Sequence, residues 1–187
     1  MSDPTSDPVI GQYSYIAYDD PTAIVRPWDA RAPAVADRLI ALISMVFPEG
    51  TAEHIGSTAI PGCDGKGVVD LMLLYRPGRI AIARDAVDRL GFQRHEAPGA
   101  HPEDRPVRIG TIDHEGETFR VHVHIIAEDA LEVARQRHFR DTLRADPALV
   151  AAYIADKRRI ATSGEAGDGG AYADAKGEFI ANVNETA

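Results

Sequence analysis

A Gly-Ser pair and one aspartate are the residues of this chain best suited to chemistry. Gly56 and Ser57 follow a short predicted strand, and Asp70 interrupts the apolar run over 68–75. Glycine lets a backbone approach a phosphate closely, and a serine hydroxyl with free N–H groups at a helix start binds anions. A carboxylate inside a buried strand is costly without a partner. The pattern predicts a phosphate-binding turn beside a carboxylate that holds a metal ion or orients a substrate.

Each of these residues also has a purely structural interpretation. Ser57 or Thr58 could cap a short helix, and Asp70 could accept backbone N–H bonds from the preceding turn. Lys66, four residues before Asp70, could contact a phosphate as a point charge or could be a solvated loop lysine. The glycines around it do not form a Walker loop, because Gly67 stands where that loop needs Ser or Thr.

Two histidines on a predicted strand form a second candidate group. His122 and His124 are two positions apart, so alternation along a strand places both imidazoles on one face. With Asp70 they suit Zn, Mn or Fe better than an all-oxygen Mg site. One of them could instead be a general base, and the structural alternative is a pair of partly exposed strand histidines. We predict Asp70, His122 and His124 as catalytic and metal-binding residues.

Basic side chains in the C-terminal part could close over an anionic ligand. The segment 135–159 contains seven basic and three acidic residues. We predict Arg140, Lys157 and Lys176 as substrate-binding residues, with a solvated charged face as the alternative interpretation.

The elements that must position these residues follow from the spacing of the apolar side chains. The predicted order is a helix over 33–46, strands over 51–55 and 68–75, a helix over 79–90, a hairpin with strands over 107–112 and 118–126, and three further helices. Residues 92–104 are predicted as a loop or a frayed strand, and 162–170 as a flexible Gly-rich loop.

These elements define an α/β (α+β) fold class. We predict a mixed sheet of four or five strands flanked by helices, with the C-terminal helices covering one side. Residues 1–22 are predicted as an N-terminal tail or edge segment, and 23–187 as a single domain.

Composition narrows the function classes. The chain has 187 residues and a formal net charge of −9, which argues against general nucleic-acid binding because phosphate backbones need clustered Lys and Arg. A small anionic partner needs only a local basic pocket. Cys63 is the only cysteine, and no apolar run approaches the ~20 residues that span a bilayer. The first residues do not resemble a secretory signal. We therefore expect a cytoplasmic protein with no membrane partner.

Together these residues resemble the GrpB family, a branch of the nucleotidyltransferase superfamily. The resemblance spans roughly residues 24 to 183. The main shared segments are His-Ile-Gly-Ser-Thr-Ala-Ile-Pro-Gly over 54–62, Lys66 before Asp70, Val-His-Val-His over 121–124, and Phe-Arg-Asp over 139–141. The resemblance implies a nucleotidyltransferase-like fold in which the Gly-Ser turn holds phosphates and the next strand bears the metal carboxylate. That strand usually reads Asp-x-Asp in the superfamily, whereas Met72 takes the second position here, and two-metal phosphoryl chemistry needs several oxygen ligands.

The functional prediction is a nucleotidyltransferase that binds a nucleoside triphosphate, with ATP as the expected substrate, and a divalent metal. The metal is expected to be Mg or Mn, with Zn as an alternative. Gly56, Ser57 and Lys66 would hold phosphates while a nucleotidyl group passes to a small acceptor. Two alternatives stay open: a catalytically silent module that binds a nucleotide or coenzyme A, and a metal-dependent hydrolase that uses the histidine pair.

Overall fold

The sheet at the centre of the molecule has five strands, the upper end of the predicted range. The computed structural model describes residues 25–94, 101–162 and 169–185. Within these ranges the strands are β1 (Thr51–Ile55), β2 (Val68–Tyr75), β3 (Gln93–Arg94), β4 (Val107–His114) and β5 (Glu117–Ala127). The helices are α1 (Ala32–Val46), α2 (Ile80–Arg89), α3 (Leu131–Ala145), α4 (Pro147–Thr162) and α5 (Gly169–Glu185).

The strand order is β1-β2-β5-β4-β3, and the sheet is mixed. β2 pairs antiparallel with β1 and parallel with β5, and β5 pairs antiparallel with β4. The parallel register sets Asp70 opposite His122 and Met72 opposite His124. Because side chains alternate between faces, all four of these residues belong to the same face of the sheet.

One face of the sheet, which we call the closed face, packs against α1 and α2. It presents Leu71 and Val123 from the two central strands, and both are fully buried. α1 meets them with residues such as Leu39 and Ile43, which recur at helical spacing, and Pro33 suits its first turn. This face contains the main apolar core.

The opposite face, which we call the site face, bears Asp70 and the histidine pair. α3 covers its other part, where Met72, Leu74 and Val133 form a small apolar cluster. The three C-terminal helices pack on one another through a separate cluster that contains Leu143 and Tyr153. The predicted covering of one side by these helices is thus confirmed.

The hairpin differs from its prediction in length. β4 runs to His114 and β5 starts at Glu117, so the turn is Glu115-Gly116, which is shorter than the gap between the strands predicted over 107–112 and 118–126. Both turn residues have positive φ. A two-residue hairpin with a turn of the type I′ kind requires this conformation at both positions. Such a turn matches the twist of the strands, so the hydrogen-bonded ladder of β4 and β5 continues up to His114 and Glu117.

The predicted loop over 162–170 and the predicted tail over 1–22 are described by the structure only in part or not at all. The two ends of the predicted loop over 162–170 are helical, because α4 includes Thr162 and α5 begins at Gly169, and residues 163–168 lie outside the described ranges. The predicted tail over 1–22 also lies outside them. Arg26 forms an isolated antiparallel bridge with Gly65. None of the helices in the described part of the chain is long and apolar enough to cross a membrane.

Candidate functional site

The Gly-Ser turn lies directly against the carboxylate of Asp70. Gly56 follows β1 with a positive φ and an extended ψ, and Ser57 begins a single 3₁₀ turn. That backbone conformation is open essentially to glycine alone. A Cβ added at Gly56 would lie 2.5 Å from Asp70 Oδ2. Glycine is therefore needed here twice, for the backbone conformation and for the close approach to the carboxylate.

A chain of hydrogen bonds fixes this turn to β2. The buried Thr58 hydroxyl donates to the Val68 carbonyl at 3.0 Å, so it accepts from His54 Nε2, which lies 3.0 Å away. The Trp28 indole N–H donates to the Thr58 carbonyl at 3.0 Å. Burial lowers the pKa of His54 to about 4, although the charge of Asp70 opposes the shift. His54 is thus a neutral structural histidine at neutral pH.

Asp70 and the two histidines converge on one point of the site face. Asp70 Oδ1 lies 3.4 Å from His122 Nδ1 and 3.5 Å from His124 Nε2. Their side chains are 18 to 25% exposed, so the group is accessible. Burial alone would raise the pKa of Asp70, but the neighbouring imidazoles outweigh it and hold that pKa below its ordinary range. Asp70 is therefore an anion throughout the physiological range.

A pocket lies beside this group, with about 330 Å³ of empty space that includes open solvent. It is lined by Ser57, Gly65, Lys66, Gly67, Val68, Asp70 and Lys157. The structure thus brings Ser57, Lys66 and Asp70 together. Lys157 of α4, which is 100 positions from Ser57 in sequence, lines the same pocket.

Lys157 is the most unusual residue of the pocket, because its side chain is only 1% exposed. Its Nζ donates to Ser57 Oγ at 3.2 Å, to Cys63 Sγ at 3.3 Å and to the Asp64 carbonyl, and it lies 4.3 Å from the centre of the Tyr153 ring. Burial lowers the pKa of Lys157. In the described part of the chain no carboxylate forms an ion pair with it.

Arg120 adds positive charge near the other end of the pocket, and the sequence interpretation missed it. Its Nη2 donates to the Lys66 carbonyl at 2.5 Å. Burial, followed by the charge of Arg120, lowers the pKa of Lys66, while Asp70 opposes this shift. The signal was available, because Arg120 is two residues before His122 and so belongs to the same face of β5.

Of the two other predicted substrate-binding residues, Arg140 is not among the described residues that line the pocket. Arg140 Nη1 donates to Glu53 Oε2 and to the His54 carbonyl, both at 3.2 Å, and its Nε donates to Asp141 at 2.7 Å. It therefore joins α3 to β1, and a contact with substrate stays a prediction. Lys176 lies in α5, but its side chain is outside the described part of the structure.

Two other neighbours of the site could not be read from local sequence. Cys63 is buried and contacts Lys157 only because α4 docks beside the loop that contains Cys63. The His101 ring lies 6.1 Å from that of His124, edge to face, although its segment has no periodic pattern.

The arrangement can hold a cation and an anion side by side. Asp70, His122 and His124 each offer one ligand atom, and these atoms lie within 4.8 Å of one another. Ser57, Lys66 and Lys157 surround the adjoining space with donors. A ligand rich in phosphate and a divalent metal would each find suitable partners here.

The fold is nucleotidyltransferase-like, which confirms the predicted fold class. A solved structure of Cid1, an RNA terminal uridylyl transferase, is similar to the chain with a TM-score of 0.52 and 17% identity, over 78% of this chain and 45% of Cid1. A crystal structure of the conserved protein GrpB from Enterococcus faecalis has a TM-score of 0.60 and 19% identity, over 85% of this chain and 98% of that chain.

The chain belongs to the GrpB family. The family model described as GrpB protein matches residues 22–186. A UPF0157 protein of Streptomyces coelicolor is 33% identical over 135 residues, which are 72% of this chain and 67% of the relative. Another, from Deinococcus radiodurans, is 31% identical over 165 residues, or 88% of this chain and 81% of the relative. The resemblance inferred from the sequence motifs is thus confirmed.

Proposed function

We propose that this protein binds a nucleoside triphosphate, with ATP as the first candidate, and transfers its nucleotidyl group to a small acceptor. The observation that supports this most strongly is the buried ammonium of Lys157. A charge removed from water is costly unless an opposite charge compensates it. Its Nζ contacts a hydroxyl, a thiol and a carbonyl as well as the face of the Tyr153 ring. The charge of Asp64 compensates the ammonium only in part, because burial still lowers the pKa of Lys157. An anion bound in the pocket would supply further negative charge.

The pocket suggests a role for each of its donors. Ser57 would bind a phosphate oxygen through its hydroxyl and the N–H groups of the turn, with Lys66 and Lys157 on either side. Arg120 lies close enough to Lys66 to strengthen the positive potential. Preorganised donors in a partly dry site stabilise developing charge strongly, so few protein groups suffice for this chemistry.

The proposed reaction is a substitution at the α-phosphorus. An acceptor oxygen forms a bond to that phosphorus, the bond to the bridging oxygen breaks, and pyrophosphate leaves with that oxygen. The acceptor proton passes to an imidazole of the pair or to solvent. A divalent ion held by Asp70 would neutralise the phosphates and orient the α-phosphoryl group. A Cid1 structure of this fold class, with a TM-score of 0.50 to this chain, has MgGTP bound, which supports a nucleoside triphosphate as the ligand.

A second candidate function is a catalytically silent module that binds a nucleotide or a coenzyme-A-like anion. The observation that favours it is Met72, which takes the place of a second carboxylate and is fully buried in an apolar cluster. A site with one carboxylate keeps the phosphate pocket but provides less of the charge that two-metal chemistry uses.

Calorimetry separates these functions. ATP, GTP and coenzyme A are titrated into the protein with and without Mn²⁺ or Mg²⁺, for the wild type and for Lys157→Met, Lys157→Arg and Asp70→Asn. Arg159→Met is the matched control, because Arg159 lies on the same helix but is exposed and paired with Asp156. Pyrophosphate release is then measured for every nucleotide that binds, in the presence of mixed small acceptors.

For the transferase we expect metal-dependent ATP binding that falls about 10-fold or more in Lys157→Met, because this variant removes a positive charge beside the phosphates; a 10-fold loss corresponds to about 1.4 kcal/mol. Binding should be retained in Arg159→Met, and pyrophosphate should be released by the wild type but not by Asp70→Asn. Binding that ignores metal and survives Asp70→Asn would instead support the silent module. If no nucleotide or coenzyme A binds under any condition, both proposals fail.

A further inference from the structure

We propose that Asp70, His122 and His124 form a mononuclear site for a divalent transition ion, with Zn²⁺ as the expected occupant, rather than a magnesium site. The inference deepens the proposed function and rests on it for the role of the ion, since the ion would lie beside the bound phosphates. The site itself is defined by side chains alone.

The distances within the group suit a shared ion better than direct hydrogen bonds. The contacts of 3.4 and 3.5 Å from Asp70 Oδ1 to the two imidazoles exceed the roughly 2.7–2.9 Å of a charge-assisted hydrogen bond. Zinc bonds of about 2.0–2.1 Å in a tetrahedron place neighbouring ligand atoms about 3.3–3.4 Å apart. The two distances from the carboxylate are close to such tetrahedral edges, and all three ligand atoms lie within 4.8 Å of one another.

The backbone holds the three side chains in this arrangement. β2 and β5 are central parallel neighbours, and their register sets Asp70 directly opposite His122, with His124 one step further on the same face. Gly56 lies against Asp70 Oδ2, so the other oxygen, Oδ1, is directed at the histidines. The group is therefore positioned by strands rather than by a loop, which favours a preorganised site.

The chemistry of the ligand atoms selects the ion. Two imidazole nitrogens and one carboxylate oxygen suit Zn²⁺ and its neighbours in the transition series, whereas Mg²⁺ requires oxygen ligands in an octahedron. No further His, Cys, Asp or Glu within the described residues completes this group. Three protein ligands leave an open position, as catalytic zinc sites have. Asp70 also lines the phosphate pocket, so a phosphate oxygen or a water could take that position.

This assignment decides between the two roles considered for the histidines. An imidazole nitrogen that is bound to a metal is not available to accept a proton. His122 and His124 would therefore be ligands, and the proton of the acceptor would pass to solvent.

The experiment measures metal binding by the full chain without an affinity tag and without nucleotide. The protein is stripped with EDTA, equilibrated separately with Zn²⁺, Co²⁺, Mn²⁺ and Mg²⁺, and desalted. Bound metal is counted by mass spectrometry, affinities are measured by competition with a chromogenic chelator, and the visible spectrum of the Co²⁺ form reports its coordination. His114→Ala is the matched control, because it removes an imidazole from the same hairpin outside the group.

We expect one Zn²⁺ or Co²⁺ per chain, a Co²⁺ spectrum of four- or five-coordinate intensity, and much weaker Mg²⁺ binding. His122→Ala and His124→Ala should each lower the Zn²⁺ affinity by more than about 100-fold, beyond the loss typical of an outer-shell partner, while His114→Ala leaves it unchanged. Binding of Mg²⁺ as tightly as Zn²⁺, or Zn²⁺ stoichiometry unchanged in both histidine variants, would overturn the inference.

A swap of ligand type covers the case in which an alanine variant fails to fold. His124→Asp keeps a ligand at that position but makes it an oxygen, so the preference should shift from Zn²⁺ toward Mn²⁺ and Mg²⁺. An unchanged metal preference in a folded His124→Asp protein would count against the site. The two proposals fail separately: nucleotide binding without Zn²⁺ binding refutes only the metal site, and Zn²⁺ binding without any nucleotide binding refutes only the proposed function.

Discussion

The two faces of the sheet are built from the same strands but have different roles, since one is buried in the core and the other bears the polar site. On β2, Leu71 points into the closed face and is fully buried, while its neighbour Asp70 points to the site face and is a quarter exposed. The same alternation on β5 separates Val123 from His122. Burial of the apolar face provides the stability, so the other face can keep polar groups close together and accessible.

The site face is itself divided, and the boundary lies between Asp70 and Met72. Asp70 faces the pocket, whereas Met72 lies two residues further along the same face under Val133 of α3. A second carboxylate at position 72 would be enclosed by apolar side chains. The single-carboxylate site is therefore a consequence of how α3 covers the sheet, and not only of one residue change.

The largest loss of stability is expected when a charged side chain replaces Met72 in the apolar part of the site face. Met72→Asp should lower the free energy of unfolding by about 4 kcal/mol or more, because it buries a carboxylate in an apolar cluster, even though His124 lies opposite it in the register. Met72→Leu is the control and should cost less than about 1.5 kcal/mol. Urea unfolding measures both. A stable Met72→Asp protein with increased Mg²⁺ binding would show that α3 does not enclose position 72 rigidly.

The next effect contrasts adjacent residues of β2 on the two faces. Leu71→Ala should lower the free energy of unfolding by about 2–5 kcal/mol, because it leaves a cavity in the main core. Asp70→Asn should cost less than this, because the imidazoles that lower the pKa of Asp70 stabilise its anion in the fold but the side chain is partly solvated, and it should weaken metal binding. Denaturant unfolding of both variants, together with metal titration, makes the comparison. Equal losses of stability would mean that the site face supports the fold as much as the core does.

A change of similar size in the free energy of unfolding is expected when His54 is protonated at low pH. The folded pKa of about 4 is below the ordinary 6.5, so the unfolded chain binds more protons between these values. The free energy of unfolding should therefore fall on the order of 3 kcal/mol as pH drops from about 6.5 to about 4. His54→Gln removes this titration, so its stability should vary less over that window. Parallel curves for the two proteins, measured by urea unfolding at each pH, would refute the buried neutral state.

A pair of glycines separates backbone strain from contact with the site. Gly56→Ala should cost about 1–3 kcal/mol. It should also displace the Asp70 carboxylate, since its Cβ would lie 2.5 Å from Oδ2. Gly62 also has a positive φ but no atom within 4 Å of an added Cβ. Gly62→Ala should therefore cost about 1–2 kcal/mol and leave metal and nucleotide binding intact. Titration of both variants tests this, and equal losses of binding would contradict it.

The smallest effect concerns the ion pairs that join α3 to β1. Arg137 is 45% exposed and pairs with Glu53. Arg137→Ala should cost about 1 kcal/mol or less, and the loss should shrink as salt is added. The pairing with Arg137 and Arg140 outweighs burial and lowers the pKa of Glu53, so any contribution disappears in acid. A loss of several kcal/mol, insensitive to salt in thermal unfolding, would show that this contact and not the apolar cluster holds α3 in place.

Most of the fold could be predicted because its signals are local. Apolar residues at helical spacing defined α1, and the apolar run around Asp70 defined β2. The turn of the hairpin was predicted too long, since Glu115 gives no sign of a positive φ, which glutamate seldom adopts. Element ends depend on such single conformations, whereas the elements themselves depend on many residues.

The candidate site was predictable only in part, for the same reason. Gly56, Ser57 and Asp70 are close in sequence, and the spacing of His122 and His124 sets their common face. The contact between Lys157 and Cys63 spans 94 positions and depends on how α4 docks. Lys157 could therefore be named as one of the basic residues of the segment 135–159, but its burial and its partners could not be read from sequence. Arg140 is the opposite case. Its charge suggested that it binds a substrate, whereas in the structure it pairs with Glu53.

The position of Lys157 in the chain has a consequence for biosynthesis. The sheet and its Gly-Ser turn leave the ribosome before α4, which begins only at Pro147. The strands are therefore synthesised before the ammonium that we propose holds the ligand. Ligand capture would begin only once α4 has emerged and docked beside the Gly-Ser turn.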